Sequence, residues 1–133
     1  MHPKDRQYSQ EHVWAKMEGD LVVCGITLHA EEMLNNIVFI ELPQIGSKIQ
    51  QSEEVGILES IKSVSNISTP LSGEVVDLNP EVQKDPSILN KDPLGKGWLF
   101  KIKASNLDEV KSLMDADLYD KFMREGGRSG KPS

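Results

Sequence analysis

A succession of short apolar runs, nearly all of them separated by breakers before they reach the length of a helix, most limits the folds open to this chain. The runs cover residues 21–26, 37–42, 55–61, 64–68, 73–78 and 98–103 and are rich in valine and isoleucine. Both features favour pleated, half-buried strands. Pro43 with Gly46 and Pro70 with Gly73 mark the clearest turns, and Asn79-Pro80 and the stretch from Asp92 to Gly97 mark longer connections. So many short strands predict a mainly β domain, a small antiparallel sandwich or barrel-like core.

Helical signals are few. Residues 30–34, with Glu31 and Glu32 near the start, predict a single turn. Leu107, Val110, Leu113 and Met114 recur at helical spacing after Ser105, a candidate cap with Asp108 three residues on. Beyond a break at 115–117, Leu118, Tyr119, Phe122 and Met123 continue an apolar face, which predicts a C-terminal helix packed on the sheet. From Gly126 onward nothing is available to bury, so a flexible tail is expected.

Several function classes recede on composition. With 133 residues the chain supports one core. A net charge of −6 opposes phosphate backbones, and Lys96, Lys101 and Lys103, the densest cations, alternate with apolar residues as on a solvated strand face, so no nucleic-acid partner is expected. No apolar stretch approaches bilayer length and the start lacks the apolar centre of a secretion signal, so a cytoplasmic protein with no membrane partner is expected. Without such a signal, the Asn66-Ile67-Ser68 triplet is not read as a glycosylation site. Cys24 is the only cysteine and reads as a small core residue, while His2, His12 and His29 are too scattered in sequence to define a metal site. Gly95-Lys-Gly97 lacks the third glycine and the following helix of a phosphate loop and reads as structural. Neither an acid–base pair nor a Ser-His-Asp order stands out, so no catalytic residue is assigned.

Lys62 interrupts two apolar runs in Glu59-Ser60-Ile61-Lys62-Ser63-Val64. Turn chemistry alone does not decide its setting: Ile61-Lys62 is not the Asn-Gly or Gly-X pair of a two-residue hairpin, and periodicity also allows one strand to run through. The wider pattern does decide. Glu59 to Ser63 followed by Pro70-Leu-Ser-Gly73-Glu-Val resembles the lipoyl-lysine hairpin of the glycine cleavage H-protein family. The likeness extends through Val23-Cys-Gly-Ile-Thr27, Ile37-Val-Phe-Ile-Glu-Leu-Pro43, Asn90-Lys-Asp-Pro93 and Gly97-Trp-Leu-Phe-Lys-Ile-Lys103, in the family's order and spacing.

The resemblance implies a barrel-sandwich hybrid of lipoyl-domain type over residues 8–124, with an N-terminal extension at 1–7 and a flexible tail at 125–133. It further implies a non-catalytic carrier with lipoate joined to Lys62 by an amide, and recognition by the attaching lipoate ligase or lipoyl/octanoyl transferase through Glu59 and Gly73. The partners it implies are glycine decarboxylase, aminomethyltransferase and dihydrolipoyl dehydrogenase, with an aminomethyl cargo. One departure concerns the cargo. The family's acidic residue between a histidine and a tryptophan is Val13 here, in His12-Val13-Trp14, and its acidic residue four after the lysine is Asn66. Glu11, Val13 and Asn66 are therefore the candidates for a cleft that shelters the arm. Two alternatives stay open: an H-like lipoate-binding protein that passes sulfur intermediates to heterodisulfide-reductase-like proteins, and an unmodified interaction module.

Overall fold

Alternation along one strand shows how the chain builds two hydrophobic clusters. In β3 (Leu21–Ile26), Val22, Cys24 and Ile26 enter the main core, while Val23 joins a cluster on the opposite side with Tyr8, Trp14, Met114, Ala116 and Tyr119. Burial on both faces explains why this strand reads as an unbroken apolar run. The computed structural model describes residues 2–126.

The six-stranded sheet has the order β1 (Gln7–Tyr8), β2 (Val13–Glu18), β3, β9 (Phe100–Ala104), β8 (Gly73–Leu78) and β5 (Lys48–Ile49). The three-stranded sheet has the order β4 (Ile37–Glu41), β6 (Glu54–Ser60) and β7 (Val64–Ser68). All pairings are antiparallel. Ile40, Leu58 and Ile67 of the smaller sheet meet Val22, Cys24, Val75 and Ile102 of the larger in one core. The expected mainly β sandwich is therefore present, and neither sheet closes into a barrel.

Trp14 fixes the second cluster. It lies opposite Gly25 in the β2–β3 pairing, and a Cβ on Gly25 would stand 2.4 Å from the indole, so only glycine leaves room. The indole nitrogen donates to Pro93 O at 3.1 Å, and the Arg6 guanidinium lies 4.5 Å from the ring centroid while donating to Leu94 O. Arg6 is thus buried with its charge hydrogen-bonded and ion-paired to Asp5.

Helix α1 (Leu28–Leu34) starts at Thr27, whose hydroxyl accepts from Ala30 N, and ends at Asn35 and Asn36, both with positive φ. It extends the single turn expected at 30–34 toward its N-terminus. Two helical segments, α2 (Pro80–Lys84) and α3 (Ile88–Lys91), occupy the connection that the sequence left irregular, each inserting one buried residue, Val82 and Leu89. The α-helix expected after Ser105 is instead a 3₁₀ segment, Leu107–Ser112, whose cap is Asn106, with its side chain accepting from Asp108 N. Of its apolar set, Val110 and Leu113 pack on the main core, Met114 just beyond it is buried in the second cluster, and Leu107 stays exposed. The C-terminal helix α4 (Ala116–Arg124) forms as expected and packs through Ala116 and Tyr119. Of the tail expected over 125–133, residues 127–133 lie outside the described residues.

Candidate functional site

Strands β6 and β7 form a hairpin with Ile61 and Lys62 at its tip. Glu59 pairs with Val64, and Ser60 N donates to Ser63 O at 2.8 Å. Neither Ile61 nor Lys62 has a positive φ, so the primed turns that demand Asn-Gly or glycine are not used. Ser60 supplies the closure instead. Its buried hydroxyl oxygen accepts from Lys62 N at 3.3 Å and from Ser63 N at 3.1 Å. A single straight strand through Lys62, which periodicity allowed, is thereby excluded.

Lys62 is exposed, as are Ile61, Ser63 and Val64 around it, and no hydrogen bond or ion pair engages its amine. The side chain is anchored at a fixed base and free at its end. Glu59 is half-buried on the outer face of β6, between Phe39 of β4 and Val64 of β7. Gly73 lies in the other sheet, at the start of β8 between Ile49 and Ala104, where a Cβ would stand 2.4 Å from Lys103 O. Its lack of a side chain is thus required by strand packing. Gly73 lines a depression with Lys48, Glu74 and Lys103 that contains no residue of the lysine hairpin.

The structure brings Glu11, Val13 and Asn66 together. All three line one cleft of about 250 Å³, with Ala30, Met33 and Leu34 of α1 on one side and Ser63 of the turn with Val64 and Ser65 of β7 on the other. A second cleft of about 340 Å³ runs from Lys62 and Ile61 to Asn35 and Asn36, and Met33, Leu34 and Ser63 line both. The two clefts thus share a wall, giving a continuous surface from the lysine to Glu11. Val13 is almost fully buried and presents only hydrocarbon there, so Glu11 is the sole carboxylate in the cleft lining. The contribution of α1 was missed in sequence, because an exposed Met33 on a short helix gives no pattern of its own.

The histidines are less scattered than their numbering indicates. His12, at the cleft, stands with its ring 4.6 Å from that of His29, and His2 contacts Tyr8, Tyr119 and the carboxylate of Asp120. Burial holds the His29 imidazole below the usual histidine value, against the opposing charge of Glu32 and with His2 acting in the same direction as burial. Among the described residues no group of three or more His, Cys, Asp or Glu side chains is arranged to hold a metal ion. Cys24 is fully buried and its thiol is pushed well up by burial, in keeping with a core role. The Gly95–Gly97 loop is also structural: the Asp92 carboxylate accepts from Gly95 N and Lys96 N, and Asp92 O accepts from Gly97 N. No helix among the described residues is long and apolar enough to cross a membrane.

An exposed lysine on a serine-closed hairpin, beside a cleft walled by α1, invites comparison with known proteins. The glycine cleavage H-protein family matches residues 6–126. A glycine cleavage system H protein from Symbiobacterium thermophilum is 43% identical over 124 residues, covering 93% of this chain and 97% of that one. Another from Acinetobacter baumannii is 43% identical over 119 residues, covering 90% and 96%. The crystal structure of a glycine cleavage system H protein from Mycobacterium marinum superposes with a TM-score of 0.83 at 35% identity, covering 93% of this chain and 98% of that one. Sequence and fold agree over nearly the whole length, and the chain belongs to the glycine cleavage H-protein family, the non-catalytic lipoyl carriers of glycine cleavage.

Proposed function

We propose that Lys62 is the residue that carries the lipoyl group, and that the arm moves between the cleft beside α1 and the active sites of partner enzymes while carrying an aminomethyl group. The observation that carries this reading is the exposed, unengaged amine at the tip of a rigid hairpin in a chain of this family. The residues fit the group. The amine is accessible to an attaching enzyme, and Ala30, Met33, Leu34 and Val13 offer hydrocarbon walls to an aliphatic chain. When attached, the lipoyl group supplies a dithiolane for thiol–disulfide and acyl-type transfer that the buried Cys24 cannot perform.

The protein's own contribution is placement. Ser60 fixes the turn, Glu59 offers the attaching ligase or transferase a half-buried carboxylate, the buried Gly73 shapes the strand start that such an enzyme meets, and Glu11 is placed to accept a hydrogen bond from a cationic cargo. Glycine decarboxylase, aminomethyltransferase and dihydrolipoyl dehydrogenase are the partners of this reading. Intact-mass measurement after incubation with lipoate and a competent ligase tests it: the wild type gains one lipoyl mass and Lys62→Arg gains none. A gain retained by the Arg variant places the arm elsewhere, and no gain in either favours an unmodified interaction module.

A second reading has one observation in its favour. Val13 puts hydrocarbon in the cleft wall where the family pattern has a carboxylate, leaving Glu11 there and Glu32 in the adjoining cleft as the acidic groups, so a sulfur intermediate passed to heterodisulfide-reductase-like proteins needs nothing that the cleft lacks. Glycine–bicarbonate exchange reconstituted with the lipoylated chain separates the two. Full-rate exchange supports the aminomethyl cargo, and its absence favours a different one.

A further inference from the structure

Tyr119 is remote in sequence from the cleft and does not line it, yet it touches both of its sides. Its ring is fully buried and stacked on Tyr8, with centroids 4.8 Å apart. Its hydroxyl lies 2.6 Å from His12 Nδ1 and donates to Thr27 Oγ1 at 3.0 Å. Each of those contacts leads to a cleft wall. His12 lines the cleft between Glu11 and Val13, and Thr27 Oγ1 also accepts from Ala30 N, capping the helix whose Ala30, Met33 and Leu34 form the other side.

The segment held in this way does not rest in its position without support. His12 has φ +67°, a conformation that costs a non-glycine residue free energy. Its backbone oxygen accepts from Thr27 N at 3.1 Å, so His12 and Thr27 are joined through the main chain as well as through the phenol. Burial pushes Tyr119 up to about 12, which keeps it a neutral hydroxyl in neutral solution. Nothing in the packing of α4 requires this hydroxyl, because phenylalanine would fill the same stacked, apolar site.

We propose that Tyr119 is a positioning residue of the arm cleft: its hydroxyl, acting through His12 and Thr27, fixes the spacing between the Glu11–Val13 segment and helix α1, and so sets how firmly the cleft holds an arm attached at Lys62. This inference rests on the reading that the cleft receives the arm.

Reduction of the lipoyl disulfide by a water-soluble phosphine measures how often the arm leaves the cleft. The lipoylated wild type reacts more slowly than free lipoamide, and Tyr119→Phe reacts about fivefold faster than wild type, the factor that loss of one neutral hydrogen bond of about 1 kcal/mol corresponds to. Tyr8→Phe is the control. It removes the hydroxyl that donates to Pro3 O and keeps the ring stack, so it stays at the wild-type rate. On the unlipoylated chain, the ring ¹⁵N resonances of His12 move in Tyr119→Phe and not in Tyr8→Phe. Equal protection in wild type and Tyr119→Phe, equal acceleration by Tyr8→Phe, or unmoved His12 resonances each overturn the positioning role alone. A wild type that reacts as fast as free lipoamide overturns the cleft reading and the positioning role with it.

Discussion

The six-stranded sheet is packed on both faces, by the main core on one and by Trp14, Tyr8 and Tyr119 on the other, whereas the three-stranded sheet that bears Lys62 is packed on one face only. On the outer face of the smaller sheet Val38, Phe39 and Val64 are each about half exposed or more. The larger sheet therefore holds most of the burial that resists unfolding, and the smaller one uses its inner residues Leu58 and Ile67 to fasten a presenting edge to that base. Stability and presentation are divided between two layers of one small domain.

Truncation of one large side chain in each layer gives the sharpest contrast. Trp14→Ala removes a buried indole together with its bond to Pro93 and is expected to cost about 3–5 kcal/mol in urea unfolding. Phe39→Ala, on the open face, is expected to cost about 1 kcal/mol or less. Similar costs at the two positions would break the division. A smaller effect is expected within the presenting layer. Ser60→Ala deprives Lys62 N and Ser63 N of their acceptor, at about 1 kcal/mol, so their amide hydrogens should exchange about fivefold faster while global stability falls by no more than that amount. A loss of protection across the larger sheet well beyond fivefold would show that the hairpin is not an independent unit.

The smallest effect is a dependence on pH at α1. Because burial depresses the folded-state value of His29, its neutral form contributes stability that is complete above the unfolded value of about 6.5 and is lost as pH falls through the folded value. Glu32 opposes this shift and His2 reinforces it. Denaturation midpoints should therefore drop from pH 7.5 to 5.5 in the wild type and drop less in His29→Gln. An equal drop in both would assign the sensitivity to another group.

Strands with several apolar residues and a clear stop, such as β3, β7 and β8, were legible from composition and spacing because their burial repeats over enough residues to show. β1 and β5 have two residues each, too few for any period, and owe their pairing wholly to neighbours. β2 escaped because the polar half of Val13–Glu18 masks three consecutive buried residues, a pattern that arises only once both faces are covered. At the candidate site, the exposed hairpin setting of Lys62 was legible through the family pattern, but the form of its turn was not, since a serine hydroxyl replaces the usual turn residues. The contacts of Tyr119 with Thr27 and His12 span 92 and 107 residues, and no local rule reaches that far.

With the arm on Lys62 as proposed, the serine-closed tip of the hairpin limits how tightly the cleft needs to bind it. A tether fixed to an immobile post and bearing a short flexible chain sees its own receptor at an effective concentration of roughly millimolar. An intrinsic affinity of only about 4 kcal/mol then suffices to keep the two associated about half the time. On the proposed reading, such a balance would let a competing pocket on another protein draw the arm out without any rearrangement of the domain, and traffic between stations would follow relative occupancy and not a gate.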